Sequence, residues 1–87
     1  MRISESLQQY DFTYEQLKPI DDGLRKHLAG TFISALEASE RPDQAIITVR
    51  YIKRRVALHA SIDVLRTSER EVLEFVGSDL AKALLQL

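Results

Sequence analysis

The chain of 87 residues has no cysteine, which excludes disulfides, thiolate zinc sites and thiol catalysis and suits a reducing compartment. No apolar run approaches the roughly 20 residues needed to span a bilayer. The opening stretch, MRISESLQQYDF, lacks the apolar segment of a secretory signal. The expectation is a cytoplasmic protein with no membrane contact. The net charge of −1 makes no global case for nucleic acid. No glycine-rich loop could cradle a phosphate. His27 and His59 are the only histidines, and neither has a second histidine at ligand spacing. Ser61 and Asp63 come close after His59 in sequence, but no triad follows from that spacing if the segment is helical. Asp21 and Asp22 read as a helix cap rather than a metal site. These absences predict no enzyme, no cofactor, no metal and no small-molecule substrate.

One further absence shapes the reading of the fold. From Asp43 to Arg66 the chain contains no Gly, Pro or Asn, so nothing punctuates the backbone. Two patterns compete there. Val56, Leu58, Ala60, Ile62 and Val64 alternate as in a half-buried strand, and Ile46, Ile47, Val49 and Tyr51 are β-formers. A hairpin needs a turn, however, and Lys53-Arg54-Arg55 is poor turn chemistry. A single strand of more than 20 residues is too long for a domain of this size. As a helix, the segment carries two apolar stripes. One is Ala45, Val49, Ile52, Val56 and Ala60; the other is Ile47, Tyr51, Leu58, Ile62 and Leu65. The length and the missing turn favour the helix.

The flanks are read in the same way. Residues 1–12 form a flexible arm that Tyr10 and Phe12 could pin to the body. Residues 13–87 form one domain. Thr13 to Gln16 has capping-box spacing, and Pro19 should stop the short turn that begins there. Leu24, Leu28, Phe32, Ala35 and Leu36 predict a helix from Asp21 or Asp22 to about Glu40, ended by Pro42. Ser68 to Glu71 is a second capping box, preceding a helix with Leu73, Leu80, Leu84 and Leu87 on one stripe. Gly77 falls in that stripe, where another backbone could approach closely. The predicted fold is all-α: a three-helix antiparallel bundle completed by homodimerisation. The expected dimer face is Ile47, Tyr51, Leu58, Ile62 and Leu65 with Leu73, Leu80 and Leu84.

Charge is unevenly placed along the chain. Residues 44–66 carry five basic and one acidic side chain, while both flanks are acidic. Arg50, Lys53, Arg54 and Arg55 are the candidate contacts for DNA or an acidic partner. Helical geometry would put Arg50 and Arg54 on one strip and Arg55 on another.

Gln44-Ala45-Ile46-Ile47, Asp63-Val64-Leu65-Arg66, Val72-Leu73-Glu74-Phe75-Val76 and the Leu28–Leu36 segment carry a resemblance in pattern and length. Over residues 24–76 the chain resembles the YmgB/AriR family of small bacterial biofilm and acid-stress regulators. The resemblance implies an all-α homodimer without catalysis. It would act by protein contact in signalling or transcription, for example with a two-component response regulator, and DNA binding is a proposal for that family. The more basic central segment departs from the family and leaves the partner open. The leading expectation is therefore a non-enzymatic regulatory or connector protein. The alternatives are a DNA-binding module using the basic segment and a small helical chaperone for a secreted or phage protein.

Overall fold

A computed structural model describes all residues, 1–87, and its architecture is mixed α/β. The elements are β1 (Arg2–Ile3), a 3-10 turn (Glu5–Tyr10), α1 (Tyr14–His27), β2 (Phe32–Ala38), β3 (Gln44–Tyr51), β4 (Arg54–Ser61), α2 (Ile62–Leu65) and α3 (Arg70–Leu85). The four strands form one sheet in the order β1-β2-β3-β4. β1 runs parallel to β2, and the β2-β3-β4 meander is antiparallel. The all-α three-helix bundle is thus overturned, and with it the all-helical architecture that the resemblance implied. The segment expected to form the central helix is the β3–β4 hairpin.

Two local features explain the difference. The hairpin turns on Ile52 and Lys53, with Tyr51 paired to Arg54. Ile52 sits at φ 58, a conformation that normally calls for Gly or Asn. The turn therefore exists without turn chemistry. Around it, the two stripes assigned to opposite helix sides merge into one sheet face. Ala45, Ile47 and Val49 lie opposite Ala60, Leu58 and Val56. The second feature is a bulge in β2. Ile33 pairs with Val49 and Ala35 with Thr48, so Ser34 is an extra residue. Its hydroxyl donates to the Thr48 carbonyl at 3.2 Å. The bulge leaves Ile33 and Leu36 three residues apart yet both buried, a spacing that imitates a helix.

α1 begins as its sequence suggests. The Thr13 hydroxyl accepts from the Gln16 N–H at 3.1 Å. It does not stop at Pro19, which lies buried inside the helix. The missing proline donor would have reached Glu15, an exposed residue with access to water. The expected box at Ser68 does not form. α3 starts at Arg70 with Glu69 as its N-cap and no side-chain cap. The Thr67 hydroxyl accepts from the Glu69 N–H instead.

α1 and α3 pack against each other and enclose the core against one sheet face. Two glycines make the crossing. A Cβ at Gly23 would run into the Glu74 carbonyl, and one at Gly77 into the Ile20 carbonyl. Both backbones are therefore in direct contact, as expected for small residues at a close crossing. Polar bonds flank the crossing. Arg70 donates to Asp22 at 2.6 Å and to Glu74 at 2.9 Å, and His27 bonds the Ser78 hydroxyl at 3.1 Å.

The core takes in most of the expected dimer face. Ile47, Ile62, Leu65, Leu73, Leu80 and Leu84 are all buried within one chain, and Tyr51 and Leu58 are half-buried against them. Leu73, Leu80 and Leu84 of the predicted stripe are buried in the core, whereas Leu87, beyond the end of α3, is exposed. Residues 1–12 also belong to the body: β1 joins the sheet, and Leu7 and Phe12 are buried in the core. No helix is long and apolar enough to cross a membrane.

Candidate nucleic-acid interface

The helices cover one face of the sheet and leave the other open. The ladder fixes which side chains lie on each. The Ile62 N–H donates to the Asp43 carbonyl at 2.9 Å. Counting back along the antiparallel register, Ala45 with Ala60, Ile47 with Leu58, Val49 with Val56 and Tyr51 with Arg54 are the hydrogen-bonded pairs. Their side chains face the helices. Ile46 with His59, Thr48 with Ala57 and Arg50 with Arg55 alternate with them and face outward.

Arg50 and Arg55 are therefore direct cross-strand neighbours on the open face, at a non-hydrogen-bonded site. Side chains are closest at such sites, with Cα atoms about 4.5 Å apart. Like charges so placed destabilise a sheet. No carboxylate relieves them: none of Arg50, Lys53, Arg54 and Arg55 joins an ion pair. The next residue across the sheet is Phe32, paired with Arg50. Its ring is 46% exposed, and the Arg50 guanidinium carbon lies 6.0 Å from the ring centre. Beside this row, Arg2, Ser34, Glu37, Thr48 and Arg55 line a shallow polar depression. Arg2 reaches Glu37 at 3.7 Å.

The strand geometry redistributes the predicted basic cluster. Arg50 and Arg55 share a face, Arg54 lies on the helix side with Tyr51, and Lys53 occupies the turn. A helix would have joined Arg50 to Arg54. Sequence reasoning missed Phe32 as a site residue because it was assigned to the apolar side of a helix. The alternation that would have exposed it is interrupted by the bulge at Ser34. Arg2 carried no signal, since its neighbour Glu37 comes from another strand.

Phe32 is held in place from α1. The Asp21 carboxylate is buried and accepts from the Ile33 N–H at 2.9 Å. Burial pushes its pKa above the ordinary value, while the Ile33 bond and Arg25 pull the other way. Thr31, also buried, donates to the Leu28 carbonyl at 2.7 Å. Together these bonds fix the entry into β2, so the residue between them presents its ring outward.

β4 brings His59 and Ser61 onto this same outward face, two residues apart, where a helix would have separated them. The Ser61 hydroxyl accepts from the Val64 N–H at 3.4 Å and makes no hydrogen bond with His59. No three His, Asp or Glu side chains gather closely enough to hold a metal ion. Compared with family models, curated proteins and solved structures, the chain has no match.

Proposed function

We propose that the protein is a non-enzymatic binding module that engages nucleic acid through the open face of its sheet. The observation that carries this reading is the unpaired Arg50–Arg55 couple beside the exposed Phe32 ring. Two adjacent guanidinium groups that repel one another gain most from a ligand with closely spaced negative charges. Phosphates of a nucleic-acid backbone supply them, and Arg suits them by its bidentate donors. The ring offers a stacking surface for an unpaired base. We extend the proposal to a regulatory role in a cytoplasmic setting.

The test is a salt titration of binding to a labelled single strand and to a duplex. Affinity should fall steeply with salt. The R50A/R55A variant should flatten the slope by roughly 1.4 for single strands, two contacts at about 0.7 each. Removing the ring with Phe32→Ala should weaken single-strand binding by about 1–3 kcal/mol. Absence of binding at low salt, or binding indifferent to both variants, would overturn the proposal.

A second reading is a connector acting through protein contacts. It is favoured by Phe75 on α3, 63% exposed beside the exposed Val64 of α2. In that case a variant at Phe75, and not at Arg50 or Arg55, would abolish activity in the cell.

A further inference from the structure

β1 is too short to extend the sheet, but β4 ends it with an eight-residue strand. Its register with β3 is continuous, with no bulge. From Val56 to Ala60 it carries no Lys, Glu or Pro, the residues that ordinarily protect an edge. The ladder leaves the backbone N–H and C=O groups of Arg55, Ala57, His59 and Ser61 pointing away from β3. Beside this edge runs an apolar groove between β4 and α3, lined by Ala60, Val64, Val72, Phe75 and Val76.

We infer that the β4 edge pairs with β4 of a second copy of this chain, antiparallel about Leu58. Charge selects this occupant. One end of β4 carries Lys53, Arg54 and Arg55 at the turn; the other runs into Asp63, exposed in the first turn of α2. An antiparallel copy sets each cationic end against the acidic end of its partner, twice. A parallel copy would stack arginine on arginine. With Leu58 on the twofold axis, Val56 meets the partner's Ala60 and Arg55 meets the partner's Ser61. From Val56 to Ala60 the inward face is then apolar across the junction, with the inward Arg54 at either end. Ala57 and His59 exchange the new backbone hydrogen bonds. Lys53 comes to lie beside the partner's Asp63. The α3 helices approach from both sides, and Phe75 and Val72 become covered. The pairing joins two four-stranded sheets into one of eight strands, with both open faces on the same side.

Sedimentation equilibrium without nucleic acid tests this independently of the binding reading above. The wild-type chain should sediment with the mass of two copies. The A57P variant removes a donor that faces outward and serves no bond to β3, so the fold should persist by circular dichroism while dissociation rises about tenfold or more. Lys53→Asp and Asp63→Lys should each weaken the dimer by a similar factor, and the double exchange should restore it. A wild-type chain that stays monomeric at about 100 μM, where a complex of micromolar affinity would be formed, overturns the inference. So does a dimer unmoved by A57P and by both charge changes, or a monomer that accepts only a strand from a different protein.

Discussion

Replacing Ile52 with glycine should make the protein more stable. Ile52 holds φ 58 at the first position of the β3–β4 turn and is 75% exposed. A residue other than glycine in this region costs about 1–3 kcal/mol, and a branched Cβ belongs in the upper part of that range. Glycine relieves the strain and adds about 0.5–1 kcal/mol of unfolded-chain entropy on the other side. The apolar surface lost is small: full burial of such a side chain contributes about 1.5–3 kcal/mol, and most of this one is already in water. The net gain is about 1 kcal/mol. For a domain of this size that raises Tm by about 4–8 °C. The assay is thermal unfolding followed by circular dichroism, with a urea titration to confirm that the midpoint moves and the slope does not. Ile52→Val keeps the branched carbon and should leave Tm nearly unchanged. A glycine variant that melts at or below the wild-type temperature would refute the reasoning, since it would mean that the turn is not strained or that the side chain is anchored.

Gly77→Ala should destabilise strongly, by about 1–3 kcal/mol or more, because the new methyl meets the Ile20 backbone rather than a side chain that can swing away; chemical denaturation measures this. Asp21→Ala should cost about 1–3 kcal/mol by leaving the buried Ile33 N–H without an acceptor, while Asp21→Asn keeps an acceptor oxygen and should cost less. Asp21 also gives a sign to the pH dependence. Its folded pKa is raised above the ordinary 3.8, so its contribution to stability is complete below that value and is lost as pH climbs through the raised one. Subtracting the Asp21→Asn profile from the wild-type profile should isolate this falling limb, opposite to that of a salt-bridged carboxylate. Arg70→Ala should cost little, within about 1 kcal/mol, because its bonds to Asp22 and Glu74 lie at an exposed rim.

The elements that follow ordinary local rules were legible in the sequence. The Thr13 cap, the apolar stripe of α3 and the close approach at Gly77 all appear as local pattern and local geometry. The sheet was not legible, and particular residues say why. Val56 to Ala60 alternated as a strand should, yet a hairpin needs a turn, and Ile52 supplies one against its own preference. Ser34 offset β2 by one residue and so disguised a strand as a helix. Both are cases in which tertiary packing overrides local propensity. Of the four cations singled out in the sequence, only Arg50 and Arg55 share the open face; Arg54 and Lys53 lie elsewhere because the grouping depends on the period, 2.0 in a strand against 3.6 in a helix. Phe32 became visible only once β2 had been placed beside β3.

The glycine contact between α1 and α3 has a consequence for how the chain reaches its fold. The meander from β2 to β4 joins neighbours in sequence through short connections, so it can form with little loss of loop entropy. The helices meet across bonds that span 48 and 51 residues. They can dock only when the two ends of the chain come together. The fit at Gly23 and Gly77 tolerates no looseness, so it is expected to be completed after the rate-limiting barrier. Mutation there should then accelerate unfolding and leave the refolding rate nearly untouched, a signature confined to one arm of the chevron.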